Sequence, residues 1–148
     1  MAVDIVLAYL HHAAMVLFFG ALWREFQLCR PSGERGVALA LAKTDLVYFG
    51  AALGLLLSGL GRLTFGAMPA DFYLGNPVFH AKMGLFLLVG VMSAWPTMRF
   101  MRWRKRASTG IQPSPAELEA TRKLILVELC IVALIPLLAV LMARGVGR

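Results

Sequence analysis

Charge, cysteine and histidine are all scarce in this chain, and each shortage narrows what it can be. Charged residues make up 16% of the 148, and only 8 are Asp or Glu. Soluble domains carry about 25% charged and about 45–50% apolar residues. Here the apolar share is 59% and the mean hydropathy +0.74. A water-soluble globule is thereby excluded. Two cysteines, Cys29 and Cys130, are too few for a disulfide framework. Both are expected near one membrane face, away from the histidines, which leaves them as unpaired thiols and rules out a Cys₂His₂ zinc site. No Lys or Arg precedes the first apolar run, and Asp4 is the only charge near its start. That run is therefore expected to stay as a membrane span and not to be removed as a secretory signal, which would carry a basic leader.

What is abundant is apolar sequence in four runs, residues 2–23, 43–61, 77–98 and 124–143. Each is close to the roughly 20 residues needed to cross about 30 Å of hydrocarbon, the second being the shortest once its charged start is set aside. Backbone polar groups in lipid must be satisfied internally, which helices do. The expected fold is an all-α, four-transmembrane-helix bundle forming one domain over residues 1–148, with helices over about 2–26, 37–63, 77–104 and 115–144.

The net charge of +7 follows the connections. Arg24, Arg30, Arg35 and Lys43 lie between runs one and two. Arg99, Arg102, Arg104, Lys105, Arg106, Arg122 and Lys123 lie between runs three and four. Arg62 is alone in the middle connection, and Arg144 and Arg148 follow the last run. By the positive-inside rule the two basic loops face the cytoplasm and both termini face outward. Arg99 to Arg106, with Phe100, Met101 and Trp103 interleaved, borders a membrane helix, so its expected partner is anionic headgroups and not nucleic acid.

Along the chain, Leu7, His11, Met15, Phe18 and Leu22 share one helical stripe, and His12 points about 100° away. Only one of the two histidines can serve a common site. Pro31-Ser32-Gly33-Glu34 reads as a turn. Gly50, Gly54, Gly59 and Gly61, with Ala51, Ala52 and Ser58, give the second helix a small-residue surface. This suits close helix packing or, alternatively, a flat cofactor. Asp45 is expected as a solvated or salt-bridged interfacial acid, and Glu128 within reach of Arg122 or Lys123. Phe72 and Tyr73 fit an interfacial aromatic belt. Asn76-Pro77 predicts a helix start, and Ser114-Pro115-Ala116-Glu117 a capping box. Pro96 is expected to kink or end the third helix, and Pro136 to bend the fourth.

Topology gathers the ionisable residues. His11 lies about 10 Å below the start of its helix, and His80 and Lys82 lie in the opening turns of the third. Being two residues apart, His80 and Lys82 cannot both point at one atom. Arg62 and Arg144 rim the same end. One haem b per chain would fit this layer, with imidazole as an axial ligand and arginines toward the propionates. Met15, Met68 and Met83 nearby would serve a copper site instead. Histidines merely hydrogen-bonded between helices are the third reading.

Residues 77–88 (PVFHAKMGLFLL) resemble the third helix of the HemJ-type protoporphyrinogen oxidases, where a His-x-Lys precedes a leucine-rich run. Leu10-His11, followed by Gly20-Ala21-Leu22, is similar to that family's first helix. Glu128 falls where the family has an Asn-Glu. The frame is also similar to the copper-resistance D-type membrane proteins. The resemblance is closer still to small bacterial membrane proteins of unknown function that end in Met-Ala-Arg-Gly, here residues 142–145. The oxidase resemblance implies haem b, oxidation of protoporphyrinogen IX, and His11 and Lys82 as the essential pair. The family's Phe-Tyr-Leu-Pro-Arg-Leu is here Trp23-Arg24-Glu25-Phe26-Gln27-Leu28, and its Asn before the last-helix Glu is Val127.

The expectation is thus a multi-pass bacterial inner-membrane redox protein binding haem b. His11 would be the leading axial ligand and His80 the opposite one. Lys82 would serve as ligand or catalytic contact, and Met15, Arg62 and Arg144 would line the site. A tetrapyrrole or quinone-type molecule would be its partner, with homo-oligomer formation left open. The competing class is a non-redox copper-permease component or structural partner.

Overall fold

The computed structural model describes residues 2–31 and 36–147. The turn expected at Ser32, Gly33 and Glu34, and the charges Arg35 and Arg148, lie outside the described residues. Four long helices, α1 (Ala2–Leu28), α2 (Val37–Phe65), α4 (Pro77–Ala107) and α5 (Pro115–Ala143), each have the length and hydropathy to cross a membrane. A short helix, α3 (Ala70–Leu74), joins α2 to α4. The fold is all-helical among the described residues.

The helix ends are written locally. Asn76 accepts from the Val78 amide at 2.8 Å, with Pro77 in the first helical position, where its missing N–H costs nothing. Ser114 and Glu117 form a reciprocal capping box: the Ser114 amide donates to Glu117 Oε2 at 2.8 Å and the Glu117 amide donates to Ser114 Oγ at 3.2 Å. Gly36 starts α2 with φ +84°, a left-handed conformation that glycine takes without strain. Pro96 does not end α4, which runs through it to Ala107 with the ring fully buried. Within a bundle, neighbouring helices offset the backbone bond that a proline removes.

The bundle is a closed four-membered ring in which α1 packs on α2, α2 on α4, α4 on α5 and α5 on α1. Helices α1 and α4 lie across the diagonal, meeting through the rings of Phe18 and Phe86 at 5.8 Å. The Ala67 amide donates to Asp4 Oδ1 at 3.2 Å, and Asn76 Nδ2 donates to the Val146 carbonyl at 3.2 Å. The α1 start, the α2–α4 connection and the chain's last residues therefore share one end, the terminal end. The two arginine-rich connections share the other, the basic end.

The core is not central. Its largest fully buried apolar side chains, Leu22, Leu41, Phe100, Trp103, Leu118 and Ile125, all belong to the basic half. Apolar side chains such as Val16, Leu46, Phe49 and Val91 point outward, as a lipid-facing surface requires.

Candidate functional site

Two polar layers cross the bundle, one in each half. In the terminal half, α1 presses closely on α2 because α2 offers glycine there. A methyl group added to Gly54 would meet Ala14 Cβ at 3.4 Å, and one added to Gly59 would meet the His11 ring at 3.5 Å. The small-residue surface of α2 thus receives α1 itself, most closely at Gly61, where an added methyl would come within 2.9 Å of Leu7 Cδ2.

That imidazole is held in one orientation. Ser58 Oγ donates to the Gly54 carbonyl at 2.6 Å, with the Leu55 carbonyl at 3.3 Å, so its single proton is committed to the helix backbone. The 2.9 Å contact between His11 Nδ1 and Ser58 Oγ is then one in which the ring N–H donates. Nδ1 carries the proton and Nε2 keeps its lone pair. His11 is half-buried, and Arg62 and Lys82 lie within electrostatic reach of it. Among the described residues Arg62 Nε is buried without a hydrogen-bond partner. Lys82 Nζ sits 5.4 Å from the Phe79 ring centre, and Met15 is half-buried on the same α1 stripe.

The other expected site residues stand apart. His12 is exposed, with Nδ1 donating to the Ala8 carbonyl at 2.7 Å. His80 is also exposed; its Nε2 donates to the Leu74 carbonyl at 2.8 Å and ties α3 to α4. Arg144 is exposed at the end of α5, where its amide closes the last turn. Among the described residues no three His, Cys, Asp or Glu side chains gather into a metal-holding group.

The second layer lies in the basic half, and all four long helices contribute. Tyr48 of α2 and Ser93 of α4 share a 2.7 Å hydrogen bond between hydroxyls, and Ser93 Oγ lies 3.1 Å from Glu128 Oε2 of α5. Thr97 of α4 donates to Asp45 Oδ1 of α2 at 2.8 Å. Glu25 of α1 lies within electrostatic reach of Asp45 and Glu128. Glu25 is 2% exposed and Glu128 0%, and one carboxyl oxygen of each has no hydrogen-bond partner. Phe18 stacks on Tyr48 with ring centres 4.6 Å apart and lids the layer toward the terminal half.

The model of a family described as "Predicted membrane protein (DUF2214)" matches residues 3–147. The chain belongs to that family. No curated protein and no solved structure matches it.

In this DUF2214 chain the second layer is what sequence reasoning missed. Glu128 was expected near Arg122 or Lys123, but both cations turn to Glu119, each at 4.0 Å, and Arg122 also covers the Phe26 ring at 4.4 Å. A residue at position 128 on the bundle-facing side cannot meet cations placed toward the headgroups. Asp45 was expected as a solvated or ion-paired acid. It keeps a side toward solvent, in line with the first alternative, and inside the bundle it accepts from a threonine hydroxyl. Glu25 drew no attention, although a signal existed: it continues the stripe of Phe18 and Leu22 at i+7 and i+3, the face that packs into the bundle.

Proposed function

We propose that this membrane protein binds one haem b in the terminal half of its bundle and transfers electrons to or from a membrane-soluble partner. The observation that carries the reading is the state of His11: half-buried, with Nδ1–H fixed by Ser58 and the Nε2 lone pair left for a ligand. Ligating histidines characteristically donate their second nitrogen in this way, which fixes the tautomer and raises ligand basicity. The unpartnered, buried Arg62 Nε supports the same reading, since it lacks the anionic acceptor that a propionate would supply.

Haem, when bound, supplies one-electron redox chemistry. The chain supplies the rest. Ser58 orients the imidazole, and Arg62 and Lys82 present positive charge to a carboxylate-bearing ring. Apolar side chains keep water from the site. Lys82 is then the residue to contact an anionic substrate, and the resemblance to protoporphyrinogen oxidases makes protoporphyrinogen IX the named candidate. The positive-inside rule puts the basic end in the cytoplasm of a bacterial inner-membrane protein and the His11 layer on the outer side.

The test is a visible spectrum of the protein purified in mild detergent after expression with ample haem, oxidised and reduced. A Soret band that is lost in His11→Ala and kept in His12→Ala is the expected result. Absence of the band in the unaltered protein refutes haem binding. A band that survives His11→Ala refutes the ligand.

A further inference from the structure

The acidic layer of the basic half has no part in that reading, and its chemistry differs. Three carboxyl groups from three helices lie within electrostatic reach of one another inside a bundle that spans lipid. Among the described residues none of them forms an ion pair; the ion pairs there join Arg106 to Glu117 and Arg122 and Lys123 to Glu119. The nearby cations have other occupations. Arg99 donates to Thr121 Oγ1 at 2.9 Å and stands over Trp95, and Arg122 stands over Phe26. Facing Glu128 are Glu25 from α1, Asp45 and Tyr48 from α2, and Ser93 from α4. Cys29, buried beside Glu25 and Arg122, completes the titratable surroundings. A carboxylate buried without a cation is costly, and ionisable residues held inside membrane bundles mark ion or proton paths.

Two oxygens, Glu25 Oε1 and Glu128 Oε1, are buried and unpartnered. Among the described residues no cation is bonded to either carboxyl, so the ligand that suits these two groups is a proton. We propose that Glu25, Asp45 and Glu128, with Ser93 and Tyr48 bonded in line to Glu128 and Thr97 bonded to Asp45, form a proton-binding layer that loads from the basic end.

The hydroxyls make the loading step geometrically simple. Ser93 Oγ has three neighbours: Tyr48 Oη at 2.7 Å, the Val89 carbonyl at 2.8 Å and Glu128 Oε2 at 3.1 Å. When Glu128 is ionised, Tyr48 donates to Ser93 and Ser93 donates to Glu128. When Glu128 is protonated, it donates to Ser93, and Ser93 turns its own proton to the Val89 carbonyl. The serine oxygen then accepts from both Tyr48 and Glu128 with its two lone pairs. Both states use the same heavy-atom positions, and one hydroxyl rotation separates them. The proton balance is simple: one proton enters from solvent and one is bound at the carboxyl.

Access is provided at Asp45. This residue lines a surface cleft of about 190 Å³ together with Ala42, Leu46, Met101 and Arg104, at the basic end of the bundle. Asp45 touches solvent there and faces Glu25 and Glu128 within.

The experiment is infrared difference spectroscopy of the intact protein in liposomes, as pH is raised and after exchange into D₂O. The expected result is a carbonyl stretch from a buried protonated carboxyl that fades as pH rises, shifts in D₂O and is lost in Glu128→Gln. Asp45→Asn is expected to keep the band but slow its deuterium shift, because the entry is altered while the loaded site is intact. No such band at any pH overturns the proposal, as does a band untouched by both Glu128→Gln and Glu25→Gln. An unslowed shift in Asp45→Asn overturns the assigned entry. If Glu128→Gln does not fold, Glu25→Gln and the unaltered protein's D₂O shift still decide it. The measurement needs no haem, so it stands or falls apart from the spectrum described above.

Discussion

The two halves of the bundle are made by the same four helices and yet are built in opposite ways. In the basic half, Leu22, Leu41, Phe100, Trp103 and Ile125 close a dense core around acidic groups. In the terminal half, α1 and α2 touch through glycine, His11 is only half-buried, and the ionisable groups around it are guanidinium and ammonium. Anionic and protonatable groups thus sit toward the cationic loops, and cationic or ligand-bearing groups toward the end that has few charges. The lesson is that packing density and chemistry divide together. A tightly packed half can hold unpartnered carboxyls in place, and a looser half leaves one nitrogen available.

The difference predicts unequal responses to truncation. Phe100→Ala removes a fully buried ring from the basic half and should cost about 3–5 kcal/mol. Leu7→Ala, at a half-buried position of the terminal half, should cost less than about 2 kcal/mol. Thermal unfolding in detergent, followed by circular dichroism, compares the two. Equal losses would mean that the halves are equally packed. A finer comparison uses two glycines of α2. Gly54→Ile drives a branched side chain into Ala14 and should cost about 1–3 kcal/mol. Gly50→Ile enters open space and should change little. If the two variants unfold together, α1 does not rest on α2 at Gly54.

The site itself responds to Ser58→Ala. Stability should fall by about 1 kcal/mol, the net worth of one hydrogen bond. Haem affinity should fall roughly 10–100-fold, the usual effect of removing the group that orients a ligating histidine. Titration of the apoprotein with haem reads the second quantity. An unchanged affinity would leave Ser58 as a packing residue only.

Much of this fold is legible in the sequence. The four apolar runs, the Asn76-Pro77 start and the Ser114–Glu117 box depend on local sequence alone, and local sequence carries them. Helical spacing showed that only one of His11 and His12 can face a common site, and the family resemblance favoured His11, but its bond to Ser58, 47 positions away, was not legible. Nothing in composition reports which glycine faces which helix. The acidic layer was hidden for a related reason. Glu25, Asp45 and Glu128 each lie near a basic loop in sequence, where charges are usually solvated. Only the packing of α1, α2, α4 and α5 turns all three inward. Helix α3 was hidden because five residues, Ala70–Leu74, are too few for a periodic pattern, and its fit depends on His80 from the next helix.

The smallest effect sharpens the contrast within one helix. Glu119 and Glu128 are nine residues apart on α5, about 13–14 Å along the axis. Glu119 has two cations, Arg122 and Lys123, yet both stand at 4.0 Å, and its side chain is 41% exposed. Pairs of that kind on a helix surface are worth about 0.3–0.5 kcal/mol and weaken with salt. Glu119→Gln should therefore shift the unfolding temperature marginally at low salt and not at all at high salt. Glu128 has no cation and no exposure. Its replacement by Gln should give a stability change that salt does not alter, because no screened ion pair is being removed. Unfolding both variants across a salt series checks this directly. A salt-dependent Glu128→Gln would mean that a mobile cation reaches the acidic layer, and that the basic half is less closed than its packing indicates.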